Sequence, residues 1–226
     1  MRAPKALFFD VFGTCVDWRS TVVRAGAALG LPAAFADDWR GRYQPQMETV
    51  RSGEREWTIL DVLHREALDA VLAAHSADLS REQRDELNLV WHRLDPWPDT
   101  VPGLTRLKER FVIAPVSNGN IALLVDMARH GGLPWDAILG AELARAYKPQ
   151  PEAYLRSVEA LGLRPEQVMM VAAHNGDLVA AGALGLMTAF VPRPAEHGPE
   201  QAKDLAPERD YDVVADDLVA LADMLA

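Results

Sequence analysis

Six apolar runs of strand length recur along the chain, and each one ends in small or polar residues. Short, nearly continuous apolar runs predict strands of a parallel sheet that is covered on both faces. The runs are ALFFD (6–10), FVIAPVSNG (111–119), AILGAE (137–142), VMMVAAHNGD (168–177), TAFVPR (188–193) and YDVVADD (211–217).

Helical patterns lie between several of these runs. Residues 120–132 carry apolar positions at helical spacing and end in a glycine pair, which is a C-cap signal. Residues 151–163 begin with a proline and stop at Gly162, and the stretch 177–186 is rich in small residues. Strand and helix in alternation predict a doubly wound α/β core with a mainly parallel sheet. In such sheets the chemistry gathers at the carboxyl ends of the strands.

The block from residue 17 to residue 98 has a different pattern. It is helix-like, rich in Arg, Glu and Trp, and has no clear strand run. It ends in the proline-rich stretch DPWPDTVPG (95–103), which predicts a linker back to the core. We therefore expect a core domain of residues 1–16 and 99–226, with a helical cap domain of residues 17–98 inserted after the first strand.

Composition narrows the class of protein and its partners. Of the 226 residues, 49% are apolar and 25% are charged, which is typical of a soluble globular protein. The net charge of −10 disfavours nucleic acid and acidic membrane surfaces as partners. The single cysteine, Cys15, excludes an intrachain disulfide and fits a reducing compartment. With no signal-peptide pattern and no run near the roughly 18 apolar residues of a membrane span, we expect a cytoplasmic protein.

Four polar groups fall where consecutive strands should end: Asp10, Ser117 with Asn118, Lys148 and Asp177. Each alone is a weak signal, because Asp, Ser and Asn after a strand are common turn formers and a lone Lys is usually a surface charge. Together, in order along a parallel-sheet pattern, their side chains should converge on one crevice.

These segments resemble the four motifs of the haloacid dehalogenase superfamily. The matching stretches are DVFGT (10–14), VSNG (116–119), YKP (147–149) and the acidic turn that ends at Asp177. The resemblance spans nearly the whole chain, including the cap. Within the superfamily, the chain is most similar to the type II, L-2-haloacid dehalogenases. This resemblance implies a Rossmann-like core and hydrolysis of a short 2-haloacid, with no cofactor and no metal.

Two positions favour a dehalogenase over a phosphatase of the same superfamily. The resemblance places an acid two residues after the nucleophile in the phosphatases, to protonate the leaving alcohol, but Phe12 stands there. It also places a magnesium-binding acid four residues before Asp177, where this chain has Ala173. One carboxylate is a poor cage for Mg²⁺, whereas a halide needs no proton to leave.

The resemblance also implies the catalytic roles. Asp10 would attack the carbon that bears the halogen, and water would then hydrolyse the resulting ester, with overall inversion at that carbon. Lys148 would keep Asp10 ionised and oriented, and Asp177 would activate or position the water. Thr14 would donate a hydrogen bond near Asp10, although a turn role is equally open.

The substrate carboxylate would be held by the Ser117 hydroxyl and by backbone N–H groups after the first strand. Asn118 and Arg40 are candidates for the halide cradle, and Arg42 is an alternative to Arg40. The full set of predicted substrate and halide contacts is Val11, Phe12, Arg40, Ser117, Asn118, Tyr154, His174 and Asn175.

The fourth motif departs from the family pattern. The dehalogenases often have Ser, Asn and Trp where this chain has Ala172, His174 and Gly176. His174 could take over a contact to water and make activity sensitive to pH, but a turn histidine bonded to backbone is equally open. Gly176 removes an aromatic wall and leaves the size of the substrate and the preferred halide undetermined.

Two alternatives to the dehalogenase remain: a Mg²⁺-dependent phosphatase of the same fold, and a fold relative that binds without catalysis. The partners expected for the dehalogenase are a 2-haloacid and a halide ion. A homodimer is also possible, because Trp39, Trp57 and Trp91 of the cap could bury a dimer face. Packing of the cap on itself explains these tryptophans equally well.

Overall fold

A computed structural model describes residues 3–226. Its strands, in chain order, are β1 (Ala6–Phe9), β2 (Val16–Asp17), β3 (Asp95–Pro96), β4 (Val112–Ser117), β5 (Leu139–Gly140), β6 (Val168–Ala172), β7 (Met187–Phe190) and β8 (Val213–Val214). Six of them form one sheet in the order β5-β4-β1-β6-β7-β8, and every neighbouring pair is parallel. This order confirms the predicted doubly wound core, because the chain starts at the centre of the sheet and winds outward to both edges.

Strand β1 shows why the apolar runs are continuous. It pairs with β4 on one side and β6 on the other, so Phe8 lies beside Ala114 and Met170. Its side chains alternate between two apolar clusters: Leu7 and Phe9 pack into the larger one, and Phe8 packs into the smaller one on the other face. Because both faces of the sheet are covered, no position of β1 needs to be polar.

The helices of the cap segment are α1 (Trp18–Ala27), α2 (Ala34–Gly41), α3 (Tyr43–Arg51), α4 (Leu60–Ala74) and α5 (Arg81–Asn88), followed by a 3₁₀ turn at Leu89–His92. The helices that follow are α6 (Thr100–Lys108), α7 (Ile121–Gly131), α8 (Ala141–Ala144), α9 (Pro151–Ala160), α10 (Asn175–Ala183) and α11 (Leu218–Met224), with a 3₁₀ turn at Pro165–Gln167. Among residues 3–226, no helix combines the length and apolarity needed to cross a bilayer.

The predicted helix signals are in place. Helix α7 is followed by Gly132 in the left-handed conformation (φ +66°), which closes its last turn. Helix α9 begins at Pro151, as expected of a residue that has no N–H to leave unbonded. Helix α10 begins at Asn175, two residues before the predicted stretch.

Two predicted segments differ in detail from the structure. The run 137–142 contains only a two-residue strand, because Gly140 turns the chain at φ +106° and α8 begins at the next residue. The stretch 95–103, predicted as a linker back to the core, contains regular structure. Its first two residues pair antiparallel with β2, and α6 already begins at Thr100. The Thr100 hydroxyl donates to the backbone oxygen of Cys15, which ties both ends of the cap segment together.

The cap segment is built around aromatic side chains and is fastened to the core through a histidine. Trp39 and Trp91 are buried within the single chain, so packing of the cap on itself accounts for these two residues. His92 contacts Asp61 of the cap segment at 3.0 Å and Asp126 of α7 at 2.8 Å. The domain limits 17–98 remain a prediction, although all five helices before β3 fall inside them.

Candidate active site

Asp10 lies directly after β1, at the centre of the sheet and at the carboxyl ends of its strands. Its backbone N–H donates to Val171 of β6 at 3.0 Å, which continues the sheet pairing by one residue. Asn118 follows β4, and Lys148 precedes α9. Asp177 lies in the first turn of α10. The expected convergence of these side chains on one crevice is thus what the topology produces.

Three side chains donate hydrogen bonds to the carboxylate of Asp10. Lys148 Nζ donates to Oδ1 at 2.8 Å, while Thr14 Oγ1 at 2.8 Å and His174 Nδ1 at 3.0 Å both contact Oδ2. Burial alone would raise the pKa of Asp10. The charge of Lys148 and the hydrogen bond and charge of His174 outweigh it and hold that pKa below its usual range. Asp10 is therefore ionised although only 7% of it is exposed.

Lys148 joins the two acids of the site. Its Nζ also donates to Asp177 Oδ2 at 2.5 Å, and the Tyr154 hydroxyl donates to Asp177 Oδ1. Burial alone would lower the pKa of Lys148. The charges and hydrogen bonds of Asp10 and Asp177 outweigh burial and raise that pKa above its ordinary range. Burial and the nearby charge of Asp10 raise the pKa of Asp177. One ammonium thus serves two carboxylates, and Asp177 is the one that takes up a proton more readily.

A pocket of about 720 Å³ opens above this group. Its walls include Asp10, Phe12, Trp18, Arg40, Tyr43, Asn118, Lys148, Tyr154, His174, Gly176, Asp177, Glu196 and His197. Most of the predicted site residues therefore face one space, whose wall comes partly from the cap segment.

Arg40 is the cap cation that faces the pocket. Its guanidinium lies 3.9 Å from the ring centre of Tyr43 and 5.3 Å from that of Trp18. Its Nη1 is buried and has no hydrogen-bond partner among residues 3–226. Arg42, the alternative, is exposed and does not line the pocket. The structure therefore brings Arg40 to the pocket, with one N–H donor that no described protein atom accepts.

Three predicted contacts lie behind the pocket wall or away from it. Ser117 is buried below the surface, and its Oγ accepts from the N–H of Gly119. Val11 is also buried, yet within the described chain its N–H and that of Phe12 donate to no backbone carbonyl. Asn175 is not brought to the pocket at all, because its side chain is bonded to the segment 204–211.

Sequence reasoning missed Glu196. This side chain is 1% exposed, and its Oε2 contacts His174 Nε2 at 2.8 Å while its Oε1 accepts from Trp18 Nε1 at 3.0 Å. Gly13 makes the space for it, because a Cβ there would lie 2.1 Å from Oε1. Burial would raise the pKa of Glu196, but the hydrogen bond and charge of His174 lower it. No pattern in the sequence marks Glu196, which lies in a loop 22 residues after the histidine that it contacts.

His174 therefore lies between two ionised carboxylates, one at each ring nitrogen. Only the doubly protonated imidazolium can donate to both. Burial would lower the pKa of His174, but the hydrogen bonds and charges of Asp10 and Glu196 raise it well above the ordinary value. His174 is thus neither a turn histidine bonded to backbone nor a neutral ring.

The chain belongs to the haloacid dehalogenase-like hydrolases, because the family model of that description matches residues 4–185. Among its relatives is (S)-2-haloacid dehalogenase 4A of Burkholderia cepacia. The two are 30% identical over 193 residues, which cover 84% of this chain and 83% of that protein.

Two solved structures are similar over almost their full length. A defluorinating L-2-haloacid dehalogenase is 51% identical with a TM-score of 0.96, covering 99% of this chain and 96% of that one. Another L-2-haloacid dehalogenase is 48% identical with a TM-score of 0.97, covering 99% of this chain and all of the other. These comparisons confirm both the predicted superfamily and the similarity to its L-2-haloacid dehalogenases.

Proposed function

We propose that this chain hydrolyses the carbon–halogen bond of short (S)-2-haloacids and releases a halide and a 2-hydroxy acid. The observation that carries the proposal is an ionised, buried Asp10 held by Lys148, with the apolar ring of Phe12 where a phosphatase has an acid. The names of the similar proteins described above agree with this choice of substrate.

In the first step, Asp10 attacks the carbon that bears the halogen in an in-line displacement. Oδ1 is the attacking atom, because it accepts one hydrogen bond whereas Oδ2 accepts two. The new bond joins Oδ1 to carbon, and the halide leaves with the bonding pair. Burial removes the water shell that would otherwise weaken a carboxylate nucleophile, and Lys148 keeps it aligned.

The leaving halide and the substrate carboxylate need separate donors. Arg40 and Asn118 both line the pocket and serve the halide, and Arg40 has an N–H donor with no partner in the described chain. The free backbone N–H group of Phe12, a residue that lines the pocket, suits the carboxylate. Ser117 lies behind the wall and acts indirectly, by accepting from the N–H of Gly119. Tyr154 acts by fixing Asp177 rather than by touching the halide, because its hydroxyl donates to Asp177.

In the second step, Asp177 takes a proton from a water molecule that attacks the ester carbon of Asp10. Its raised pKa favours this role, because a more basic carboxylate accepts a proton more readily. Collapse of the adduct breaks the bond between Cγ and Oδ1, so the product hydroxyl carries the oxygen that came from Asp10. No metal or cofactor enters either step.

Halide release from L-2-chloropropionate in the presence of EDTA tests this function, with p-nitrophenyl phosphate and Mg²⁺ as the parallel substrate. Fluoroacetate and L-2-bromopropionate extend the test, since one similar structure is of a defluorinating enzyme. Asp10→Asn should abolish release. Phosphate release without halide release would overturn the proposal in favour of the phosphatase, and neither product would favour a binding protein.

Compartment and assembly are further proposals. The single cysteine, which is buried at Cys15, is consistent with a reducing cytoplasm. A homodimer is testable by light scattering coupled to size-exclusion chromatography. A mass of 24.8 kDa would contradict it.

A further inference from the structure

Oδ2 of Asp10 receives an arrangement of donors that the displacement step does not need. Thr14 and His174 both contact this one atom, while the attacking Oδ1 has only Lys148. Donors on Oδ2 keep the buried carboxylate ionised, but they also withdraw charge from the nucleophile and so do not speed its attack. They speed a step only where more negative charge develops on Oδ2 later in the reaction.

That later state is the adduct formed when water attacks the ester. In the ester, Oδ1 is bonded to the substrate and Oδ2 is the carbonyl oxygen. Attack of water on Cγ moves the carbonyl π pair onto Oδ2, which becomes an oxyanion. Thr14 and His174 already lie at hydrogen-bond distance from this atom, so no rearrangement is required.

Both donors are held rigidly from behind. The Thr14 hydroxyl accepts from the N–H of Ala173 at 2.9 Å, so its own hydrogen points to Asp10. The second nitrogen of His174 is bound by Glu196, which Trp18 holds in turn. Glu196 thereby orients the ring and keeps it charged.

We propose that Thr14 and the imidazolium of His174 form an oxyanion hole at Oδ2 of Asp10, with Glu196 as the residue that positions and charges His174. This role rests on the proposed dehalogenase function and assigns a further catalytic group to its hydrolytic half.

The step balances in atoms and charge. Water adds to Cγ and gives one proton to Asp177, and the π pair rests on Oδ2. The pair then returns, the Cγ–Oδ1 bond breaks, and the product alkoxide takes the proton from Asp177. The remaining water proton leaves to solvent as the Asp10 carboxylate re-forms. His174 keeps both its protons throughout.

The alternative role for His174 is a general base, which requires a neutral ring. The two roles predict opposite dependence on pH. An imidazolium donor loses activity as the pH rises through the raised pKa of His174, whereas a base loses activity as the pH falls. The charged or titratable groups that share this pocket with His174 are Asp10, Asp37, Arg40, Tyr43, Lys148, Tyr154, Asp177, Glu196, His197, Lys203 and Asp204.

The test is a pre-steady-state reaction of His174→Ala with L-2-chloropropionate, followed by halide release and by the mass of the intact protein. We expect the halide burst to remain, the Asp10 ester to accumulate and turnover to fall about 10²–10³-fold, as for loss of an oxyanion-hole donor. His174→Asn, which restores a neutral donor, should recover part of the turnover. Its pH–rate profile should lack the alkaline limb, that is, the loss of activity as the pH rises.

Glu196→Gln tests the positioning role, because glutamine is nearly the same size as glutamate and leaves no cavity. It should displace the alkaline limb of turnover to lower pH. The matched control is His130→Gln, which removes a histidine bonded to a carboxylate at Asp95, outside the pocket. It should leave both the limb and the ester unchanged.

The results separate this inference from the function on which it rests. If the wild-type protein releases no halide, the proposed function fails. If the wild type releases halide but His174→Ala shows no halide burst, or turns over without ester accumulation, the oxyanion role fails. If activity falls as the pH decreases in the wild type but not in His174→Ala, His174 is the general base.

Discussion

The pocket floor contains the partly buried His174 and the interior of the cap segment contains the buried His64, and the two rings have opposite character. His174 has a carboxylate at each nitrogen, whereas neither nitrogen of His64 has a hydrogen-bond partner in the described chain. His64 is stacked on Trp91 at 4.4 Å between ring centres and packs edge-on against Phe12. The same side chain is thus used once as a polar group and once as an aromatic surface.

The protonation of the two rings follows from their surroundings. Burial lowers the pKa of His64 well below its ordinary value, and the charge of Arg40 lowers it further. Burial also acts on His174, but Asp10 and Glu196 reverse its effect. Burial by itself therefore does not decide the charge of a histidine; the groups buried with it do.

The largest expected effect comes from Lys148→Met. The change leaves Asp10 and Asp177 without their shared ammonium, so halide release should fall by about 10³-fold or more. The pKa of Asp10 should rise, and the residual activity should need a higher pH. Lys108→Met, which removes an exposed lysine paired with Asp136, is the matched control and should leave the rate unchanged. If His174 alone could keep Asp10 ionised and aligned, the loss would be far smaller.

Gly13→Ala should lower the pKa of His174 and so make its protonation more like that of His64. The new methyl group would displace Glu196 and would sit at a φ of +87°, so we expect a loss of roughly 2–5 kcal/mol in unfolding free energy. The alkaline limb of turnover should shift to lower pH. Gly53→Ala shares the positive φ but has nothing within 4 Å, so it should cost only about 1–2 kcal/mol and leave the limb in place.

The smallest effect is expected for His64→Phe, measured by urea unfolding. An apolar ring of similar shape removes two unsatisfied nitrogens, so stability at pH 7 should change little or rise by up to about 2 kcal/mol. The dependence of this stability change on pH has a definite sign. Since the folded pKa of His64 is depressed, the native state loses stability as the pH falls below the ordinary value of about 6.5.

His64→Phe should remove that acid sensitivity, by about 1.4 kcal/mol per pH unit for one proton. Replacing His174 should act in the opposite sense. A raised folded pKa contributes stability below the unfolded pKa and loses it as the pH rises through the folded one. Equal pH slopes for the two variants would contradict the comparison.

Much of the fold was predictable because its signals are local and repeated. The continuous apolar runs predicted strands covered on both faces, and Leu7 and Phe8 do pack into opposite clusters. The errors fell at element ends. Gly140 ends a strand after two residues because of its backbone angle, and a helix begins at Thr100, whose hydroxyl donates to the distant Cys15 carbonyl. Neither cause is visible in a hydropathy pattern.

The residues of the candidate site were also predictable only in part. Asp10, Lys148 and Asp177 were predicted from motifs at strand ends, and the structure brings them within hydrogen-bond distance. Asn175 was predicted to face the substrate, but it holds the segment 204–211. Glu196 was not predicted, because it lies in a loop with no motif of its own.

The sequence by itself determined the alternation of strands and helices, the carboxylate at the end of the first strand and the absence of an acid at Phe12. These are properties of single residues and their near neighbours. Only the tertiary structure decided that Trp18 and Glu196, which are 178 residues apart, meet behind His174. The pKa values of buried groups depend on such distant partners, because charges act through space in a poorly screened interior and not along the chain.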